Sequence, residues 1–489
     1  MTKKASLIDD EFLIDIKRKN VNRKIMIMQN TDKGEFMVKK VFRRTGAALL
    51  GASLMLTTIV PAIYAEEQPQ TLTPSISDWA IETLNEGEKY GIYPIEWYYD
   101  SFQGEIPVEK VNELLTLTEK KIASLNLAEN KQYKPVTVQG DNTRGDIVKR
   151  LYNIVARYDL PVGTDAIKYM TERNILRGST NGLQLENKAT TQQAVVLATR
   201  FIKDTYALAQ QGSKGVAWVV EDEDTLVYLL GSIHVGTSDL YPLNEQLVTA
   251  FDESDALLVE ANLLDMEGME NYIEEGMYTD GSTVQDDVTP ETYAKLEQVA
   301  ELYSLPMEQL DLYKPNMLSG TLDLLLLANS FGMNPEELNR HGIDMYFLLN
   351  ALLQEKPVIE LEGIKAQGDM FNSLSPEAQE RQLLVSLDSI LQPAEVSTAE
   401  VMEQWLAYWK QGDVEAFAKS FQESLGGPSE FNEMLLGKRD EQMAQKLIKL
   451  LEEEEGTYFV VVGAGHFVAD KTIRYHLEQN GYDVEPFYQ

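Results

Sequence analysis

Two short apolar runs, far apart in the chain, end in the same four-residue pattern. Residues 226–230 (LVYLL) lead into Gly231-Ser232-Ile233-His234, and residues 458–462 (YFVVV) lead into Gly463-Ala464-Gly465-His466. Apolar runs of this length without polar alternation predict strands buried on both faces, and a glycine at each end lets the backbone turn tightly. Open α/β sheets place their chemistry at the carboxyl ends of such strands. The chain has only four histidines, at 234, 341, 466 and 476, so finding two of them in equivalent turns is hard to ascribe to chance.

The sequence around these runs predicts a mixed α/β unit over residues 215–489, an α+β sheet flanked by helices. Residues 216–220 (VAWVV) and 225–230 flank a polar four-residue loop, 221–224, of hairpin length. Residues 243–252 read as a helix. Residues 255–262 (DALLVEAN) read as a strand that carries Glu260 to its end, beside His234. Helices are expected over 285–355, and the apolar stretch 322–327 is far shorter than the roughly 20 residues a bilayer requires. A short strand, 358–361, carries Glu360 and Glu362. Further helices run to 455, and a last one spans 473–479.

The N-terminal part reads differently. Residues 37–65 place four basic residues before a mostly apolar run that ends in small residues, the layout of a signal peptide, with Met37 an alternative start and retention as a membrane anchor the alternative fate. The expectation is an exported protein, extracellular or held at the cell wall or surface. Residues 1–65 are excluded from fold reasoning, and 66–74 form a polar linker. The formal charge of −35 argues against nucleic acid and anionic lipid as partners. The absence of Cys excludes disulfides, thiolate metal sites and Cys nucleophiles.

Residues 75–212 predict a small, mostly helical region with a weak internal repeat. Amphipathic helix and turn recur at Ser77-Asp78-Trp79-Ala80 through Pro94 and at residues 165–177, and Thr143 and Thr190 fit helix N-caps. Tyr169-Met170 through Gly178, with Gly182, Leu183 and the Thr190-Thr191-Gln192-Gln193 helix start, resembles the S-layer homology (SLH) module. That resemblance implies docking on cell-wall polysaccharide; a helical spacer is the alternative. Asp146 in Thr-Arg-Gly-Asp matches the module's acidic position, whereas the last copy has Gln192-Gln193 there.

Taken in order, LLGSIHVGTSDLYPL, Glu260 in LLVEAN, Gly342-Ile343-Asp344, Leu361-Glu362 with Gln367, the Arg439 helix before FVVVGAGHFVADKTI, and the closing GYDVEPF resemble the TraB/PrgY/GumN family, relatives of the Tiki metalloproteases. The resemblance implies an α/β fold whose two Gly-x-x-His motifs and acidic residues surround one metal-dependent hydrolytic centre. It further implies peptide-bond cleavage in an extracellular substrate with manganese or cobalt, or down-regulation of a peptide signal. The chain departs from the pattern at Gly363, where Thr usually follows the Glu, and at Asp440, where Asn commonly follows the Arg.

Imidazole with carboxylate suits a divalent first-row ion, here Mn, Co or Zn, which lowers the pKa of a bound water and polarises a carbonyl. His234 and His466 are the expected metal ligands. Glu260 is the third ligand or the base that takes the water's proton. Glu362 is a second carboxylate of the site. Arg439 stabilises an oxyanion or binds a substrate carboxylate, with a structural ion pair as the alternative. Ser232 and Thr237 are substrate donors or plain turn formers. His341 reads as a cap or surface residue and His476 as part of a solvated face. No nucleophile elbow, phosphate loop, dinucleotide fingerprint or HExxH helix occurs. The expected function is a wall-associated metal-dependent hydrolase, a peptidase acting on a peptide or protein. A non-catalytic protein binding peptide, metal or haem, and a small-molecule esterase, are the alternatives.

Overall fold

The computed structural model describes residues 74–392, 397–425 and 429–488. The leader, the signal-like stretch and nearly all of the linker lie outside them. Among the described residues no helix is long and apolar enough to cross a membrane.

The C-terminal region is built on one mixed sheet. β1 (Val216–Glu221) and β2 (Thr225–Ser232) form an antiparallel hairpin. Its loop is one residue shorter than the sequence suggested, because Asp222 turns the chain by accepting from the backbone N–H of Thr225 at 2.9 Å. β3 (Ala256–Val259) and β4 (Val358–Glu360) run parallel to each other. β5 (Gly456–Gly463) lies between β3 and β2, parallel to both, and β6 (Glu485–Pro486) pairs with the outer side of β1. The order is β4-β3-β5-β2-β1-β6.

Register decides what the sheet presents. Ser232 pairs with Gly463, so β2 and β5 end at one level and both glycine turns leave the sheet side by side, while β3 ends two residues short of them, Val259 pairing with Val461. β3 stops sooner than its apolar run implied, because the Glu260 carbonyl turns aside to accept from the N–H groups of Glu362 and Gly363, both at 3.0 Å. Those two bonds tie the ends of β3 and β4 together.

Parallel strands need crossovers, and the helices that supply them cover both faces of the sheet. Helix Ile343–Leu353 is buried along almost its whole length. Phe347 meets Phe459 of β5 at a centroid distance of 4.9 Å, and Phe251 closes the ring cluster. Helix Lys438–Glu453 is amphipathic, burying Met443, Ala444, Leu447, Leu450 and Leu451. Trp409, fully buried, donates its indole N–H to the Gly231 carbonyl at 2.6 Å and so pins the first glycine turn from behind. The helices between β3 and β4 and helix Pro376–Leu391 form a second apolar cluster around Leu296, Leu318, Leu322 and Leu383.

Residues 78–208 carry only helices and the loops between them, and their apolar core is continuous with that of the sheet region. Thr143 caps helix Arg144–Val155, and Thr190 caps Thr191–Leu208 in a capping box with Gln193. Asp146 is buried and accepts from the N–H groups of Gln139 and Asp141, holding the preceding loop. Gln192 is also buried, accepting from the Ser77 N–H at 3.0 Å.

Candidate functional site

The strand ends bring His234, Glu260 and His466 to one place. A methyl built on Gly463 would lie 3.4 Å from His234 Nε2, 3.5 Å from Glu260 Oε2 and 3.6 Å from His466 Cδ2. All three side chains therefore reach contact distance of a single point above the end of β5. His466 Nε2 and Glu260 Oε2 are 3.8 Å apart.

Each imidazole is held from behind by an aspartate. His234 Nδ1 meets Asp344 Oδ2 at 2.8 Å, while the other oxygen of Asp344 accepts from Ser232 Oγ at 2.7 Å. His466 Nδ1 meets Asp440 Oδ1 at 2.8 Å, and Asp440 is completely buried. A carboxylate on Nδ1 fixes the tautomer that carries its proton there and turns the Nε2 lone pair toward the common point. Asp344 beside the ring raises the pKa of His234 to about 9, so an ion binding at neutral pH would displace the Nε2 proton of an imidazolium.

Glu260 is held just as firmly. Burial alone would push its carboxyl up, but His466, Arg439 and His234 outweigh it, helped by the Gly463 N–H at 3.2 Å, and hold it down at about 2. Arg439 Nη2 bonds Glu260 Oε1, and Gln367 donates to the same oxygen at 2.7 Å. Oε2 is thereby left toward the imidazoles.

Arg439 and Glu362, expected as site residues, lie one layer back. Arg439 Nε donates to Glu362 Oε1 at 2.8 Å, Nη2 to Glu362 Oε2 at 2.6 Å, and Nη1 to the Leu435 carbonyl at 2.8 Å. Every nitrogen of the guanidinium is thus engaged, in the arrangement of the ion-pair alternative. Both oxygens of Glu362 face Arg439, not the imidazoles. Ser232 is spent on Asp344. His341 caps helix Pro335–Arg340 but is buried instead of lying on the surface.

Among the described residues, no three His, Asp or Glu side chains stand close enough to form a ready-made ion cage. The donor chemistry nonetheless suits a divalent ion: two imidazoles with Nδ1 already committed, and one carboxylate oxygen facing them. Two ligands of a tetrahedral ion at ~2.1 Å stand about 3.4 Å apart, so the 3.8 Å between His466 and Glu260 differs from that by only a small side-chain adjustment.

The centre opens onto a cleft of about 440 Å³ lined also by Leu263, Met269, Asn339, Arg340 and Phe371. His234 is exposed at its mouth, with 62% of its side chain accessible, whereas His466 lies at its floor with 6%. Arg340, which the sequence reading did not single out, lines this cleft with Nε and Nη1 buried and without a hydrogen-bond partner.

Comparison with known proteins places the chain in a family. The model of the TraB/PrgY/gumN family matches residues 216–486, from the first strand to the last. The chain belongs to the TraB/PrgY/gumN family. It is similar to metalloprotease TIKI2 of Xenopus tropicalis, 25% identical over 325 residues that cover 57% of this chain and 60% of that protein. It is also similar to metalloprotease TIKI1 of Danio rerio, 24% identical over 55% of this chain and 62% of that protein. The uncharacterized protein YbaP of Escherichia coli is 27% identical over 50% of this chain and 84% of its own length. The chain thus spans about 60% of the length of the TIKI relatives it matches. No solved structure matches significantly.

Proposed function

We propose that this TraB-family protein is a metal-dependent peptidase centred on His234, His466 and Glu260. The observation that carries the reading is the convergence of the three side chains on the Gly463 point, with an aspartate behind each imidazole. Similarity to proteins named metalloproteases directs it toward peptide bonds. His234, His466 and Glu260 would hold a divalent ion, which would supply an acidified water and polarisation of the scissile carbonyl. The chain's own groups do the rest. Asp344 and Asp440 keep both rings in the ligating tautomer. Arg439 and Gln367 hold Glu260 Oε1, which leaves Oε2 facing the imidazoles as the third ligand. Glu362 completes the charge balance of Arg439 and serves as a positioning residue. Arg340 brings a positive charge to the lining of the cleft, while Met269, Leu263 and Phe371 give it an apolar wall.

The test is incubation of the full chain with Mn²⁺, Co²⁺ or Zn²⁺ and a peptide library. Cleavage that His466→Ala abolishes is the expected result. Metal uptake with no turnover of any peptide would instead favour a sequestering protein, and turnover of small esters alone would favour an esterase.

We propose further that residues 75–212 hold an exported protein at the cell wall by binding an anionic glycan. Arg144, Arg177 and Arg200 line one hollow of about 380 Å³ together with Trp79, whose ring is exposed. Burial lowers Arg200 to about 10, and the charge of Arg177 adds to the effect. A like-charged arginine cluster beside an aromatic plate suits a sugar that carries a carboxylate. Retention on purified wall glycan that is lost in the Arg144→Gln/Arg177→Gln/Arg200→Gln triple variant would support the assignment. Equal retention of the variant, or none by the native chain, would reduce the region to a spacer.

A further inference from the structure

The N-terminal helices also reach the catalytic loops, and they do so with two buried ammonium groups. Lys89, at the end of helix Ile81–Lys89, is 1% exposed and donates from Nζ to the carbonyl of Arg340. Lys121, near the end of helix Val108–Ala123, is 9% exposed and donates to the carbonyl of Ser238 at 2.5 Å. Ser238 lies four residues after His234, and Arg340 lies four residues before Asp344, the aspartate that holds the His234 ring. The two lysines therefore grip the two segments that build one histidine–aspartate pair.

Those segments are locked to each other as well. Ile343 N–H donates to the Ile233 carbonyl and Gly236 N–H to the Leu338 carbonyl, each at 3.0 Å, and Tyr241 OH donates to the His341 carbonyl at 2.9 Å. The backbones approach so closely that a Cβ at Gly342 would stand 2.2 Å from the His234 carbonyl oxygen, and one at Gly236 the same distance from that of His341. A shift of either segment is thus passed to the other. The second pair has a different support: Asp440 and His466 belong to helix Lys438–Glu453 and to the turn after β5, and their hydrogen bonds are made within the C-terminal region.

We infer that Lys89 and Lys121 are positioning residues for His234, so that the N-terminal helical region is a working part of the catalytic centre and not only a tether. A buried ammonium is costly unless its N–H groups find acceptors. Here the acceptors are main-chain carbonyls of the segments that must stay in register, which links burial of the lysines to placement of the ring. The inference rests on His234 belonging to the proposed centre, and its test is kept separate from turnover.

The test is the ring ¹H–¹⁵N spectrum of the metal-free full chain, in which four histidines give four resolvable sets of signals. Lys89→Met and Lys121→Met should each move or broaden the His234 signals and leave those of His466 in place, with cooperative thermal unfolding retained. Titration with Co²⁺ alone should show affinity reduced about tenfold, the scale on which groups orienting a ligand act. Lys203→Met, which removes an ion pair to Glu86 in the same helical region, should change neither signal. Should the Met variants fail to fold, Lys121→Gln and Gly91→Ala, the latter pressing on Ser238 from the same side, put the same question. His234 signals unchanged in folded variants, or His234 and His466 signals displaced together, would overturn the inference. A native chain that binds no Co²⁺ and cleaves no peptide would remove the metallopeptidase reading while leaving the spectral comparison decisive.

Discussion

Gly463→Ala separates folding from chemistry at this site. Gly463 has no left-handed backbone conformation to lose, and no heavy atom beyond its chain neighbours comes closer to the added methyl than 3.4 Å, ordinary van der Waals contact. Glycine-to-alanine changes at compatible positions stabilise by about 0.4–1 kcal/mol through the unfolded chain, so unfolding stability should stay level or rise slightly. The Gly463 N–H bond to Glu260 survives, since the change adds only a side chain. Yet the methyl sits in contact with all three groups that would hold the ion, where donors at 2.0–2.2 Å leave no room for carbon. Co²⁺ affinity should therefore fall at least ~100-fold, roughly 2.7 kcal/mol, and peptide cleavage should vanish with it. Urea denaturation, Co²⁺ titration and a cleavage assay on the same preparation read all three quantities. A folded Gly463→Ala protein that binds Co²⁺ within a few-fold of the native chain would refute the shared centre.

Asp440→Ala removes the carboxylate behind His466 and should lower metal affinity about 10–100-fold, measured by competition with a chelator. Arg340→Gln takes away the positive charge that Arg340 brings to the lining of the cleft; peptide KM should rise about tenfold or more with kcat nearly unchanged, since a charged hydrogen bond to the substrate contributes ~1.5–3 kcal/mol. Glu260 has a folded pKa of about 2, below its ordinary 4.5, so it contributes stability that is fully present above pH 4.5 and is lost as pH falls toward 2. Metal-free Glu260→Gln should accordingly be less stable than the native chain at pH 6 by up to about 3 kcal/mol, and denaturation curves taken at pH 2–3 should show the gap closing.

The sequence revealed the parts of this site that obey periodic rules. Unbroken apolar runs marked β2, β3 and β5, and the residues just past their ends, His234, Glu260 and His466, are the ones that meet at the Gly463 point. The orienting carboxylates were visible as residues but not as a role. Asp440 lies on the buried stripe of its helix with Met443, Ala444 and Leu447, and Asp344 opens a helix that is otherwise almost wholly apolar. A charge on a buried face requires a partner, and that rule, applied to either helix, would have marked it. Which partner it takes depends on how the helix docks on the sheet, and no local pattern encodes that. Arg340 gave no signal of any kind: nothing in its local sequence shows that it lines the cleft.

Asp440 and Gly363, the two departures from the family pattern, both lie behind the proposed ligands. At position 440 an asparagine could accept from the Nδ1–H of His466 as well as an aspartate can, but it would bring no charge; Asp440 adds a full negative charge in a completely buried position, which strengthens the imidazole as a donor to a cation. At position 363 the backbone has φ +102°, where a threonine would be strained, and the Gly363 N–H is drawn to the Glu260 carbonyl. Glycine there lets the chain after β4 fold back tightly enough for Glu362 to reach Arg439, which in turn holds Glu260. Both departures thus fall behind the proposed centre and not in it, beside the residues that hold His466 and Glu260.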